Sequence, residues 1–281
     1  MGFNPQALLD HRFEAIRASY TARDAILYAL GVGLGADPLD PFDLDFLLEE
    51  RGKVLPSFAV TLASPGMWIR DPIFGVTFSR LVHSEQDAIF HAPLPAAASI
   101  ESVARIASLT DRGQDRGALL VIEREIRDSA TGEPYCSIRQ TLLLRGDGGF
   151  GGKPAVRAPT APIPDRAPDW QLPCPTSRRA ALIYRLSGDW NPLHADPQAA
   201  RIAGFDRPIL HGLASYGIAG VILMRATGRP LARLSCRFAG VVMPGDALDF
   251  AIWKTDATVQ FEASVGGRRV LDQGFAELRD A

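Results

Sequence analysis

The sequence has few cysteines and almost no charge excess, and each shortage excludes a class of protein. Its 281 residues include only three cysteines, Cys136, Cys174 and Cys236. An odd number of cysteines without paired spacing argues against a disulfide framework and against a zinc site, so we expect a cytoplasmic location. The formal net charge of −2 provides no electrostatic attraction for nucleic acid, which is therefore not an expected partner.

Long apolar runs are also missing. No stretch approaches the roughly 20 apolar residues of a membrane span, so a membrane is not an expected partner either. The segment from Met1 to Asp10 is mixed and polar, which differs from a secretory signal. The last residues, Leu278–Ala281, differ from a Ser-Lys-Leu peroxisomal address. The hydrophobic content of 47% and the charged content of 22% are typical of a globular protein.

One segment rich in glycine and proline divides the chain. Five glycines lie in residues 146–152, and seven prolines follow up to residue 175. Because glycine adds flexibility and proline interrupts regular pairing, this composition predicts a linker over 146–175. The linker separates a first domain, 1–145, from a second, 176–281. The glycines lack the Lys-Ser/Thr ending of a phosphate-binding loop.

The two flanking domains look like copies of one plan. Residues 21–33 resemble residues 177–189, since both begin with Thr or Ser and continue into a short helical pattern with an apolar stripe. Further on, residues 54–60 resemble residues 209–215. A repeat of this length that is present twice indicates two similar domains packed together.

The order of predicted elements is the same in both domains. A capped helix is followed by an apolar helix rich in small residues, and then by strands; in the second domain the apolar helix spans Gly212–Thr227 and is expected to be buried. Strands are predicted at 75–91, 99–109, 118–127, 135–144, 234–242, 247–254, 258–265 and 269–278. A buried helix wrapped by a curved antiparallel sheet, present twice, predicts an α+β double hot-dog fold.

The segment Leu186–Ala195 places a carboxylate and an imidazole five residues apart. Gly188 and Pro192 interrupt any regular helix, so the segment is predicted to form a rigid turn. Asp189 and His194 can then face one water molecule as an acid/base pair that works near neutral pH.

The first repeat lacks this pair. When the repeats are aligned, Gly33 falls opposite Asp189 and Pro38 falls opposite His194. Taken singly, Asp189 could serve as a helix cap and His194 could be a buried, hydrogen-bonded histidine. Their joint presence in one repeat only favours catalysis.

With these residues in view, the chain resembles a known family. The likeness is carried by Tyr184–His194, Tyr28–Gly33, His83–Gln86, Gly148–Lys153 and Ala203–Gly212. It is to the (R)-specific enoyl-CoA hydratases of the MaoC-like group, in the two-domain form found in peroxisomal multifunctional proteins. The resemblance implies reversible hydration of trans-2-enoyl-CoA to (3R)-3-hydroxyacyl-CoA. The acyl-CoA is then the small-molecule partner, and no cofactor is needed beyond the coenzyme A of the substrate.

The resemblance assigns roles to individual residues. It makes Asp189 and His194 catalytic and places the thioester oxygen on the backbone N–H of Gly212. Gly212 begins the predicted buried helix, where an N–H lies unpaired at the positive end of the helix dipole. Asn191 is expected to fix the turn or to orient Asp189. The first repeat is expected to form a tunnel for the acyl chain.

Four further residues have two interpretations each. His211 either contacts the substrate or locks the turn before the buried helix. Glu85 is marked by the resemblance, although a solvated carboxylate at a strand edge would look the same. Arg237 and Lys153 are either ligands of the CoA phosphates or ordinary surface charges.

A metal site is the main alternative chemistry for these residues. Asp189, His194, Asp196 and His211 are metal ligands by type, but their spacing matches no closed metal motif, so no metal is expected. Two alternatives stay open: a related dehydratase for branched, steroid-side-chain or carrier-protein-bound thioesters, and a non-catalytic acyl-thioester binding module. Because one chain already supplies two hot-dog units, monomer and homodimer both remain open.

Overall fold

A computed structural model describes residues 2–152 and 162–280, and within them ten strands and six α-helices. The strands are β1 Ile16–Tyr20, β2 Leu81–Phe90, β3 Ala98–Asp111, β4 Ala118–Asp128, β5 Pro134–Leu144, β6 Trp170–Pro175, β7 Leu231–Phe238, β8 Ala247–Thr255, β9 Thr258–Val265 and β10 Arg268–Leu278. The helices are α1 Pro5–Asp10, α2 Ala22–Gly31, α3 Pro41–Leu47, α4 Ala180–Tyr184, α5 Pro197–Ile202 and α6 Gly212–Thr227.

All ten strands belong to one antiparallel sheet. Their order is β1-β3-β4-β5-β2-β7-β10-β9-β8-β6. Counted outward from the centre, the first half has the order β2-β5-β4-β3-β1 and the second half has the order β7-β10-β9-β8-β6. Each strand of the first half therefore holds the same position as the strand numbered five higher. The two halves therefore share one topology and meet at β2 and β7, which confirms the predicted double hot-dog fold.

The seam between the halves is a paired strand edge. β2 and β7 run antiparallel from Glu85 opposite Arg237 to Ile89 opposite Arg233. Across the seam, Arg233 donates two hydrogen bonds to the Asp87 carboxylate, at 2.9 and 2.7 Å. Main-chain hydrogen bonds and a bidentate ion pair thus join the two repeats into one body.

The buried helix of the second repeat forms where the sequence predicts it. α6 begins after His211 in extended conformation and ends at Gly228, whose left-handed φ of 67° closes the helix. Eleven of its sixteen residues are buried. A helix that is apolar on all sides is stable only in such a position, inside the curved sheet.

The first repeat departs from the predicted plan. In place of a second apolar helix it has a 3₁₀ segment, Pro56–Thr61, the first of four such segments before β2. Pro65 and Gly66 follow closely and prevent a longer helix. The buried Arg124 guanidinium donates to the carbonyls of Val60, at 2.7 Å, and Leu62, which a longer helix would have satisfied internally.

One strand prediction and one expectation about the linker also need correction. The strand predicted at 75–91 starts only at Leu81, because 3₁₀ turns occupy 72–74 and 78–80. The expectation that proline prevents pairing throughout 146–175 is wrong for β6, which contains Pro173 and pairs with β8. β6 is the last strand of the sheet, and an edge strand tolerates proline because one side needs no donor. The domain boundaries at 145 and 175 stay a prediction.

The helices of the two repeats pack directly on each other. The rings of Tyr28 on α2 and Tyr184 on α4 have centroids 5.9 Å apart. Gly31 permits this approach, since a methyl group there would lie 3.1 Å from the Cα atom of Tyr184. Gly217 of α6 lies next to Tyr28, on the other repeat. No helix within residues 2–152 and 162–280 has both the length and the apolar character needed to span a bilayer.

We predict that Gly217→Ala destabilises the protein whereas Gly220→Ala in the same helix does not. A methyl group at Gly217 would lie 2.6 Å from both Tyr28 Oη and Val32 Cγ1, and both side chains are buried. Overpacking of this kind costs about 1–3 kcal/mol of unfolding free energy. At Gly220 the nearest atom would be 3.4 Å away, so the gain in helix propensity of up to about 1 kcal/mol dominates.

The measurement is the free energy of unfolding in urea for both variants. Equal stabilities of the two variants would contradict the packing of α2 against α6.

Candidate active site

The segment between α4 and α5 forms the predicted turn. Gly188 takes a left-handed φ of 113°, a conformation that side chains other than glycine rarely adopt. The Asp189 carboxylate then accepts a hydrogen bond from the backbone N–H of Asn191, at 3.1 Å. The Asn191 side chain accepts one from the N–H of Leu193, also at 3.1 Å. Asn191 therefore caps the 3₁₀ segment Pro192–His194, and its role towards a substrate stays a prediction.

His194 is held in one tautomer. The residue is only 8% exposed, and Nδ1 lies 2.9 Å from the carbonyl oxygen of Ile209. Because a carbonyl oxygen can only accept, Nδ1 carries the proton and Nε2 keeps its lone pair. Burial lowers the pKa of His194 from its ordinary value, so the imidazole is neutral and available as a base.

The His211 ring stacks on the ring of His194. The two imidazoles stack with centroids 3.7 Å apart and an angle of 26° between their planes. His211 Nε2 lies 3.4 Å from the backbone carbonyl oxygen of Asp189, and the Tyr184 ring packs at 4.9 Å. Burial, with a smaller contribution from the neighbouring His194, lowers the pKa of His211 to about 3. His211 thus contributes a neutral, fixed surface.

Asp189, His194 and His211 form one cluster. Each offers a ligand atom, and these atoms all lie within 4.8 Å of one another. Carboxylate and imidazole are donor types that bind transition metals. However, in-plane lone pairs on two stacked, nearly parallel rings do not converge on one point, so the set suits a water or a substrate oxygen better than an ion. Asp196 lies outside this cluster and caps α5 by accepting from the N–H of Gln198, at 2.8 Å.

Gly212 begins helix α6 and has little free space around its Cα atom. It is the first residue of α6, where backbone N–H groups lack intrahelical acceptors. A methyl group there would lie 3.3 Å from the Phe238 ring, which would have to shift. Phe238 in turn packs edge-on against His83, with centroids 4.9 Å apart. A glycine at this position therefore avoids a tight contact with Phe238 next to the N–H at the start of the helix.

The other predicted residues lie elsewhere. Glu85 is in β2 opposite Arg237 of β7, so the structure places it in the sheet seam and not among the three clustered side chains. The Arg237 guanidinium forms a bidentate contact with Asp272, with Nε 2.6 Å from Oδ1. That cation is already paired, which weakens its candidacy as a phosphate ligand. Lys153 lies outside the described residues.

The sequence does not predict several of the buried polar atoms near this site. Seven buried side-chain polar atoms lack a hydrogen-bond partner within the described residues. Four of them belong to this region: Tyr184 Oη, Arg185 Nε, Ser187 Oγ and His211 Nδ1. Because buried polar groups are normally hydrogen-bonded, their concentration here marks a place where bound water or a polar ligand would supply the missing partners.

Comparisons with known proteins agree with this geometry. Residues 159–273 match the family described as MaoC like domain, and residues 18–146 match the MFE-2 hydratase 2 N-terminal domain. The chain is 38% identical to 3-hydroxyacyl-thioester dehydratase Y of Mycobacterium tuberculosis, over 94% of each chain. It is 36% identical to the peroxisomal enoyl-CoA hydratase 2 of Arabidopsis thaliana, over 99% of this chain and 96% of the relative.

A solved structure shows the same architecture. The MaoC-like dehydratase from Phytophthora capsici superimposes with a TM-score of 0.84 at 28% identity, covering 99% of this chain and all of that one. Because both repeats are matched along almost their whole length, the chain belongs to the MaoC-like enoyl-CoA hydratase 2 family, in its two-domain, double hot-dog form.

Proposed function

We propose that the protein catalyses the reversible, (R)-specific hydration of trans-2-enoyl-CoA to (3R)-3-hydroxyacyl-CoA. The observation that carries this proposal is the proximity of Asp189 to a neutral His194 whose Nε2 has no hydrogen-bond partner within the described residues, in the second repeat only. The relative from Arabidopsis thaliana is named an enoyl-CoA hydratase 2, which supports the same reaction. No cofactor is part of the proposal, since each step below uses only groups of the chain.

The first step is the addition of water at C3. A water held between the Asp189 carboxylate and His194 Nε2 loses a proton to this pair as its oxygen bonds to C3 of the substrate. The acid/base pair then returns a proton to C2, so the net change is one water added across the double bond. Positioned acid/base groups of this kind contribute about 10²–10⁴-fold each.

The second requirement is stabilisation of the enolate. As the C3–O bond forms, negative charge builds on the thioester oxygen. The N–H of Gly212 at the start of α6 is proposed to receive this oxygen, aided by the positive end of the helix dipole. The absence of a side chain at Gly212 leaves room for the thioester against Phe238.

A second candidate activity has its own support. The relative from Mycobacterium tuberculosis is named a 3-hydroxyacyl-thioester dehydratase, without a stated carrier. The same pair could therefore act on branched, steroid-side-chain or carrier-bound thioesters. A comparison of kcat/KM for one acyl chain on coenzyme A and on a carrier protein separates these substrates.

Location and assembly form part of the same proposal. The scarcity of cysteine supports a cytoplasmic location, whereas the Arabidopsis relative is named peroxisomal. A homodimer is proposed for the assembly. Cell fractionation and sedimentation velocity decide these two points.

We predict that Asp189→Asn and His194→Gln each lower kcat by about 10²–10⁴-fold while the fold is kept. Each change removes a proton-transferring group and retains a similar size. The assay follows loss of enoyl-thioester absorbance, with the product configuration determined by a stereospecific dehydrogenase. The matched control is Asp196→Asn, which changes a nearby exposed carboxylate that caps α5. Retained activity together with a large drop in melting temperature would show that Asp189 has only a capping role.

The pH dependence follows from the burial of His194. Since burial lowers its pKa, the neutral base persists at pH values below the ordinary histidine pKa of about 6.5. The acid limb of kcat/KM for hydration is therefore expected below pH 6.5. A limb at or above that value, measured between pH 4 and 8 under conditions where the protein stays folded, would contradict a neutral His194 as the base.

A further inference from the structure

A row of polar side chains crosses the inner face of the sheet in the first repeat. It consists of Gln86 on β2, Gln140 on β5 and Arg124 on β4, and is called the polar row below. Gln86 lies opposite Gln140, and Gln140 lies opposite Ile122, whose side chain shares a face of β4 with that of Arg124. Gln86 is 2% exposed and Arg124 is 9% exposed.

The polar row separates two apolar clusters of the core. On one side of it, Ala88, Ile126 and Ile138 belong to the main cluster, which extends into the second repeat. On the other side, Ile122 and Leu142 belong to a smaller, separate cluster. Polar groups inside a core are costly unless they are paired, so the partners of the polar row decide whether it is structural or functional.

Arg124 is a buried cation whose protein partners are neutral. Its guanidinium donates to the carbonyl oxygens of Val60, at 2.7 Å, and Leu62. Among the described residues no carboxylate pairs with it, whereas Arg225 and Arg233 bind aspartates. Burial lowers the pKa of Arg124 to about 10, which still leaves the side chain charged at neutral pH. A guanidinium has five N–H donors, so these two carbonyls leave donors for an anion.

Gln86 adds a buried donor without a partner. Its Nε2 atom has no hydrogen-bond partner within residues 2–152 and 162–280. The 3₁₀ segment Pro56–Thr61 packs against β2 and β5, so Arg124 must extend from β4 toward Gln86 to reach the carbonyl of Val60. An amide N–H and a guanidinium only donate. The ligand that satisfies both is an acceptor, and a carboxylate also neutralises the cation.

The polar row is linked to the proposed thioester site by two contacts. Phe238 lies next to Gly212 and packs edge-on against His83, with centroids 4.9 Å apart. Burial lowers the pKa of His83 to about 4, and its Nδ1 lies 3.4 Å from Gln140 Nε2. β7, which carries Phe238, is three strands from β4 in the sheet, or about 14 Å. An acyl chain that leaves Gly212 toward the first repeat therefore meets the polar row.

The second repeat has apolar side chains at the matching places. With Phe90 aligned to Phe238, Leu234 of β7 falls opposite Gln86, and it is fully buried. The inner face of β9, the counterpart of β4, is formed by buried apolar residues: Val259, Phe261 and Ala263. The shared plan of the fold thus does not require polar groups here, which assigns the polar row to a function of the first repeat.

We propose that the polar row binds a carboxylate at the far end of the acyl chain. The preferred substrate is then the coenzyme A monothioester of a trans-2-enedioic acid. The Arg124 guanidinium and the Gln86 amide donate charge-assisted hydrogen bonds to this carboxylate. The inference rests on the proposed function and narrows its substrate class.

The test compares two series of enoyl-CoA substrates with equal chain lengths, one ending in a methyl group and the other in a carboxylate. At the matching length, kcat/KM is expected to be about 10- to 100-fold higher for the carboxylated substrate, because hydrogen bonds to a charged group are gained. The length at which the ratio is highest reports the distance from the acid/base pair to the polar row. A ratio of one or less at every length would overturn the proposal.

The deciding variant is Gln86→Leu, which removes an amide without a protein partner and matches Leu234 of the second repeat. It is expected to lower the carboxylate-to-methyl ratio of kcat/KM about 10-fold. Arg124→Met should abolish the preference and Arg124→Lys should keep part of it, since the charge remains; melting temperatures report whether these two variants fold. The control is Arg139→Met on the outer face of β5, which should keep the wild-type ratio. A wild-type ratio in Gln86→Leu would overturn the proposal.

A binding measurement separates this proposal from the proposed function. Saturated acyl-CoA thioesters have no double bond to hydrate, so calorimetry with a carboxylated and a methyl-terminated member of equal length reports binding alone. The carboxylated ligand is expected to bind about 10-fold or more tightly to the wild type, and Gln86→Leu should reduce this difference. If this pattern appears without turnover of any enoyl-CoA, the hydratase function fails and the carboxylate site stands. If turnover is found and the two ligands bind equally, only the carboxylate site fails.

Discussion

The antiparallel pairing of β2 with β7 is the contact on which the rest of the structure depends. It joins two five-strand halves into one sheet, so the helices of both repeats lie on a common surface. In this arrangement Tyr28 contacts Tyr184, and α2 closely approaches Gly217. The turn that carries Asp189 and His194 thus packs against elements from both halves of the chain, although both proposed acid/base groups come from the second half.

The two repeats share a topology and divide their roles. The second keeps the long buried helix, and the start of that helix brings His211 and Gly212 beside His194. The first has only a 3₁₀ segment at the same place, held by Arg124. The first repeat thus has a shorter segment where the second has a long helix, and it also lacks the acid/base pair. This asymmetry is consistent with an acyl-chain role for the first repeat, which stays a prediction.

Local patterns predicted much of the fold and part of the site. The internal repeat and the alternating strands indicated two hot-dog units, and Gly188 with Pro192 indicated the rigid turn, because these signals lie in neighbouring residues. The position of Glu85 in the seam and the 3₁₀ segment at Pro56–Thr61 depend on packing between distant segments, which no local pattern encodes. The stacking of His211 on His194 is of the same kind.

The most direct test of this account is a crystal structure of the protein with a bound (3R)-3-hydroxyacyl-CoA. The account predicts that the C3 hydroxyl lies between the Asp189 carboxylate and His194 Nε2, and that the thioester oxygen accepts from the N–H of Gly212. A ligand whose C3 hydroxyl contacts neither residue, or whose thioester lies in the first repeat near Gly33, would contradict the assignment of catalysis to the second repeat.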